Sequence, residues 1–228
     1  MKLINKYILG LSSALALFSS CSDFEEINMD PTVITEENVQ IGHLLNKSIY
    51  EAQQSPHIVL SWKRAARYDR GSGLTIGTDN DGWNTDYFGV DFGVGWLNYV
   101  NNAVNLAKKR IDEGSATDVE KNLYQMSRIW RAYIISELAD NFGPIPAENA
   151  FDGTVAPYQS VKDLYAFMLD ELQSASSGLD LNVDMSSITQ NGNNSDLFYN
   201  GDMSKWQRYA NSLRLRLAMR LSNVEPET

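Results

Sequence analysis

Apolar positions recur at helical spacing through most of the chain beyond residue 35. Ile41, Leu44, Leu45, Ile49 and Ala52 fall on one stripe, behind a first turn in which Thr35 can cap and Glu36 and Glu37 suit the helix dipole. This first helix ends near Ser55-Pro56. A second helix starts within 94–98, runs on Leu97, Val100, Val104, Ala107 and Ile111, and closes at Gly114. Thr117 and Glu120 have the spacing of a capping box for a third, which reaches about Asn141. Between Ile129 and Leu138 that helix is apolar almost all round, which predicts a central element covered on several sides. Gly143-Pro144 ends it. A fourth, from about Ser160, carries Val161, Leu164, Tyr165, Met168, Leu169, Leu172 and Ala175. The last, from Ser204 with Gln207 as capping partner, carries Trp206, Ala210, Leu213, Leu217 and Leu221. No run of comparable length alternates with a period of two, so the expected class is all-α.

Two stretches interrupt the periodicity. Residues 69–95 hold seven glycines together with Trp83, Tyr87, Phe88 and Phe92, and residues 178–203 are rich in Asn, Asp, Ser and Gly. Irregular segments of this length inside a compact domain are usually functional or disordered. No strict repeat near 34 residues is visible, so pairing of the helices into repeats does not follow from the sequence alone.

The N-terminus has a different grammar. Lys2 and Lys6 precede the apolar stretch Tyr7–Phe18, which is too short to span a bilayer and reads as a secretory leader over residues 1–20. It runs into Phe18-Ser19-Ser20-Cys21, and small residues before the only cysteine resemble a lipoprotein processing site. Lipidated Cys21 would then be the mature N-terminus, held by acyl burial at about 0.8 kcal/mol per CH₂. An ordinary leader with a chance cysteine is the competing reading. The next residues, Ser22-Asp23-Phe24-Glu25-Glu26, are acidic and resemble the surface-export signal of Bacteroidetes-type lipoproteins; a merely solvated linker has the same composition. Residues 21–34 form the tether, and residues 35–228 the helical body.

Composition narrows the chemistry. Nineteen Lys and Arg stand against 29 Asp and Glu, a formal charge of −10. That argues against nucleic acid, whose non-specific binding needs clustered cations. One cysteine and two histidines leave no disulfide framework, no CxxC pair and little for imidazole catalysis or ligation. Asp79-Asn80-Asp81-Gly82 suggests a calcium loop, but Gly77 stands where the first ligand belongs and no Glu closes it. His43 lies beside the first helix stripe, where a structural role is expected. No G-x-S-x-G elbow occurs, and carboxylate pairs are too common in so acidic a chain to point to a glycosidase. No enzyme, cofactor or metal site is expected.

Binding chemistry remains. Arg128 and Arg131 on the central helix, and Arg208, Arg214, Arg216 and Arg220 on the last, suit an anion or sugar clamp, but in an acidic protein pairing with carboxylates is the expected role. In the glycine-rich stretch Trp83, Asn84, Asp86 and Tyr87 combine flat rings with hydroxyl partners, as a carbohydrate platform requires. The same rings serve equally as a plug fixing the loop to the helices. Trp96, at a helix start, reads as core.

Several of these segments together resemble one family, the SusD/RagB nutrient-binding lipoproteins. The resemblance runs from Cys21 through Asn28-Met29-Asp30-Pro31 and along Arg131-Ala132-Tyr133 to Gly143-Pro144-Ile145-Pro146. It continues from Tyr158 through Leu172, and is strongest over Tyr199-Asn200-Gly201-Asp202-Met203-Ser204-Lys205-Trp206 and on to Leu221. It covers the N-terminal part of the family, whose members are about twice this length. It implies tetratricopeptide-like helix pairs and an outer-membrane lipoprotein on the cell exterior. Such a protein captures oligosaccharides, or in some members peptides, for a SusC-like TonB-dependent transporter, with no catalytic step. A helical-repeat scaffold that binds only proteins is the alternative.

The anchor is tested by replacing Cys21. Cys21→Ala will release the protein from the membrane fraction, whereas a variant that still sediments with outer membranes at high salt contradicts lipidation.

Overall fold

The computed structural model describes residues 39–54, 95–147, 150, 155–190, 193–194 and 196–224. Cys21, His57, the acidic segment 79–82 and the candidate site residues Trp83, Asn84, Asp86 and Tyr87 lie outside them. Among the described residues the α-helices are α1 (Ile41–Gln54), α2 (Leu97–Asp112), α3 (Asp118–Phe142), α4 (Val161–Gly178) and α5 (Met203–Leu221). Each packs on its neighbour in sequence, and α3 also touches α1 and α5. Among the described residues the only strands are Thr189–Gln190 and Asn193–Asn194, a two-residue antiparallel pair, so the protein is all-α.

Most positions of the stripes read from the sequence are buried; Leu44, Ala52, Ile111 and Leu221 are half-buried, and Val161, at the first turn of α4, is exposed. Ile41, Leu45 and Ile49 on α1, Leu97, Val100 and Ala107 on α2, and Leu164, Tyr165, Met168, Leu169, Leu172 and Ala175 on α4 enter a single core, and Val104 is buried outside it. Most positions of α3 from Ile129 to Ala139 are buried, as expected for a helix with neighbours on several sides. Thr117 and Glu120 form the full capping box: the Glu120 amide donates to Thr117 Oγ1 at 3.2 Å, and the Thr117 amide to Glu120 Oε2 at 2.9 Å. Arg110 near the end of α2 also donates to Glu120, so one carboxylate joins the two helices. Gly143, at φ 76°, turns the chain out of α3 through a left-handed conformation that a side chain would strain. Ser160 caps α4 by accepting from the Asp163 amide.

His43 differs from expectation. It is exposed, one residue round from the buried stripe, and contributes nothing to the core. The start of α5 also differs. Asp202, not Ser204, is the N-cap and accepts from the Lys205 amide at 3.2 Å, while Ser204 Oγ donates to Asp202 Oδ1. Gln207 makes no capping box; its amide donates to the Ser176 carbonyl at 3.0 Å and ties α5 to α4.

Among the described residues several buried polar groups sit at the seams with hydrogen-bond partners, while Ser127 Oγ is buried without one. Trp130 Nε1 donates to Ser48 Oγ (3.0 Å), which donates to the Trp96 carbonyl (2.7 Å), joining α3, α1 and the start of α2. Asn122 on α3 meets the backbone of Asp180 with both ends of its amide, donating and accepting at 2.9 Å, and so fixes where the chain goes after α4. Asp196 anchors the approach to α5. Its carboxylate accepts from the amides of Phe198 (3.0 Å), Tyr199 (3.2 Å) and Gly201 (3.0 Å) and from Trp206 Nε1 (2.8 Å).

Trp206 is wholly buried, so Trp206→Ala will lower stability by about 3–5 kcal/mol in denaturant titration. An unchanged midpoint would contradict its place in the core.

Candidate functional site

The chemistry available in the described part lies in two places. The first is the α3–α4 seam. Glu171 on α4 accepts from Arg128 Nη2 at 2.8 Å and Arg131 Nη2 at 2.7 Å, and all three side chains are nearly covered. The guanidiniums also lie over rings, Arg128 over Tyr124 and Arg131 over Phe167, each with its carbon 5.3 Å from the centroid. Burial pushes the Glu171 carboxyl up, but the hydrogen bond from Arg128 and the charges of Arg131 and Arg128 outweigh it and hold the group below the usual glutamate range. This is an ionised cluster, in which Arg131 Nε is buried without a hydrogen-bond partner among the described residues; it is suited to holding two helices in register and unsuited to proton transfer.

The second is a groove along α4 and α5. At the α3 end it holds a cavity of about 790 Å³, with an apolar floor that includes Ala139, Leu169 and Leu221 and a polar rim of Asp140, Lys162, Tyr165 and Arg220. The Tyr165 hydroxyl donates to Asp140 Oδ1 at 2.7 Å, and Arg220 donates to Asp140 Oδ2. Burial, then the hydrogen bond to Asp140 and its charge, push the Tyr165 phenol up to about 12, so it stays neutral at physiological pH. Nearby, burial raises the Glu137 carboxyl while Arg216, 3.7 Å away, pulls it down. The groove offers surface and hydrogen bonds.

The arginines therefore act mainly as the composition suggests. Arg128, Arg131, Arg216 and Arg220 hold carboxylates, Arg214 donates to the Gln173 amide oxygen at 2.8 Å, and Arg208 donates back to Ser204 on its own helix. They do not converge into a clamp. Trp96 is buried at the head of α2. Trp83, Asn84, Asp86 and Tyr87, expected as an aromatic platform, and Cys21, expected as the lipidation site, are outside the described residues. Sequence reasoning missed Asp196, whose signal was available: an acid just before a Tyr-Asn-Gly-Asp turn, ten residues ahead of a tryptophan. Among the described residues no three His, Cys, Asp or Glu side chains gather as a metal site, and no helix is long and apolar enough to cross a membrane.

A stack of sequential helices with long irregular connections defines the class of the fold, and comparison with known proteins places it. The sequence profile of the family described as SusD-like_2, starch-binding associating with outer membrane, matches residues 26–228, and the chain belongs to that family. Among solved structures, a Bacteroidetes SusD-like protein, AC2a, superposes with a TM-score of 0.61 at 26% identity, over 83% of this chain and 35% of its own. A SusD-like protein from Bacteroides thetaiotaomicron VPI-5482 gives 0.62 at 24% identity, over 82% of this chain and 39% of its own. A chitin-binding SusD homolog from Flavobacterium johnsoniae gives 0.55 at 22%, over 82% and 40%. The chain thus spans well under half the length of these relatives. No curated protein matches it.

The Glu171 cluster has a pH signature. A carboxyl held below its unfolded value stabilises the fold above that value and loses the contribution as pH falls through the folded one. Glu171→Ala will cost about 3–5 kcal/mol at neutral pH, because it leaves two guanidiniums buried without their partner. The gap between wild type and variant in urea titrations will narrow as pH drops through the carboxylate range; a gap independent of pH contradicts this account.

Proposed function

We propose that this chain is a lipid-anchored capture protein at the outer membrane, which holds oligosaccharides on the cell exterior and passes them to a SusC-like TonB-dependent transporter without chemical change. The observation that carries the reading is the family match across residues 26–228, to a family described as starch-binding and associating with the outer membrane. The chitin-binding relative, at 22% identity, supports a glycan as the class of ligand. In this reading Cys21 carries the lipid, residues 21–34 are the tether, and the helical body from 35 onward is the frame. Trp83 and Tyr87 stack on sugar faces, with Asn84 and Asp86 bonding hydroxyls. Helices fixed to one another at buried polar seams suit such a task, because a rigid frame limits the entropy lost when a loop closes on a ligand. Tethering at the membrane makes weak affinity per site useful, by keeping ligand near the transporter.

Calorimetry of the chain against soluble starch, chitin and other glycan oligomers tests this directly. The expected result is binding of at least one class with no shorter products on chromatography. Product release, or no binding to any glycan, contradicts the reading. Trp83→Ala and Tyr87→Ala will weaken binding while leaving the melting temperature unchanged. Lost stability, with binding lost only through unfolding, identifies the rings as a plug and removes them from the site.

A further inference from the structure

The α3–α4 seam carries an inference that goes beyond glycan capture. Two guanidiniums, Arg128 and Arg131, face one carboxylate, Glu171, and the three side chains are 13%, 9% and 11% exposed. The other groups against the cations are neutral: the Gln125 amide oxygen, the Ser174 hydroxyl and the rings of Tyr124 and Phe167. The seam therefore holds one positive charge more than negative, in an interior where an uncompensated charge is costly.

The excess sits on Arg131. Arg128 reaches Glu171 Oε1 through Nε at 3.1 Å and Nη2 at 2.8 Å, and Gln125 Oε1 through Nη1 at 3.0 Å. Arg131 instead donates through Nη2, to Glu171 Oε2 at 2.7 Å. Among the described residues its Nε is buried with no hydrogen-bond partner, and so is the hydroxyl of the wholly buried Ser127. Ser127 stands one turn ahead of Arg131 on α3. A helical side chain leans back over the turn before its own Cα, so the Arg131 stem runs toward Ser127. Two orphaned donors thus share one place on the helix, beside the unbalanced charge. What the donors lack is an acceptor, and what the seam lacks is a negative charge. Water supplies the first and not the second. A sulfate or phosphate brings oxygens that need further donors, and a volume that close-packed helices do not leave. A single-atom anion supplies both and accepts from any direction.

We propose that Ser127 Oγ and Arg131 Nε are the donor pair of a buried halide site at the α3–α4 seam, filled by chloride in solution. Glu171 holds the Nη2 corner of the same guanidinium, and the charge of Arg128 offsets its repulsion of the ion. The bound anion makes the seam neutral and gives both orphans a charge-assisted hydrogen bond. The site lies inside the packed helices and draws on no open face.

Urea unfolding of the full chain is followed by circular dichroism in mixtures of sodium chloride and sodium gluconate at one fixed ionic strength, which keeps screening constant. An ion bound by the folded state alone makes the folded-to-unfolded ratio grow linearly with chloride, here by at least about tenfold between none and about 0.2 M. In Ser127→Ala that growth will fall below about twofold, while the variant's stability in gluconate reports any packing cost separately. Crystals grown in bromide will show an anomalous peak within hydrogen-bond distance of Ser127 Oγ and Arg131 Nε. This second measurement uses the unaltered protein, so it decides even where Ser127→Ala does not fold. A ratio that is the same in chloride and gluconate overturns the proposal. So does an unchanged chloride response in Ser127→Ala, or a water molecule on the two donors with no bromide signal. Glycan enters none of these readouts, so failure here leaves the capture reading standing, and the reverse.

Discussion

The C-terminal half of the described fold depends on one buried carboxylate. Asp196 is 6% exposed and accepts four N–H groups, three from the backbone just ahead and one from the Trp206 indole. Those bonds bend residues 196–201 into a tight loop in which Asn200 and Gly201 take φ of 53° and 82°. Only asparagine and glycine enter that region at small cost, which is the physical reason for the Asn-Gly pair. The bend delivers Asp202 in extended conformation to cap α5 and sends Trp206 into the core. Rings then close over the joint: Phe198 lies 5.3 Å from Trp130 and 5.8 Å from Trp206, and Tyr199 meets Trp206 edge-on. A buried acid without these donors would be costly; with them it makes the geometry unique.

The other seams follow the same logic with different groups. Ser48 between two tryptophans, Asn122 on the backbone of Asp180 and Glu171 between two guanidiniums each put a satisfied polar group where apolar stripes meet. Apolar stripes alone permit helices to slide by a turn at little cost. One buried hydrogen-bonded group per seam penalises every register but one, since a shift strands donors and acceptors in a dry interior. The result is a frame on which irregular segments can be carried.

Much of this frame is legible in the sequence, because its signals are local. The stripes of all five helices, the capping box at Thr117 and Glu120, the Ser160 cap and the glycine stop at 143 depend on residues within a few positions of one another. The start of α5 is subtler. Asp202 to Lys205 and Ser204 to Gln207 have the same spacing, and only the bend imposed by Asp196 decides between them. Gln207 is drawn off by Ser176 on α4, a partner that no local pattern shows. Likewise the arginines could be expected to pair with acids, but that Arg128 and Arg131 share Glu171 is a fact of packing. His43 misled because one residue along a helix is 100° round it, enough to leave the core. The candidate site was read from the residue types of Trp83, Asn84, Asp86 and Tyr87, which lie outside the described residues, so its chemistry and not its geometry is what the sequence offers.

Frame and proposed site divide the work in this account: helices locked at polar seams stay fixed, and the aromatic segment is the part proposed to meet the glycan. Hydrogen–deuterium exchange with and without a saturating soluble starch oligosaccharide tests that division most directly. The account predicts new protection within residues 69–95, unchanged exchange along α3 and α4, and the oligosaccharide recovered intact. Protection absent from that segment, or an oligosaccharide returned as shorter products, contradicts it.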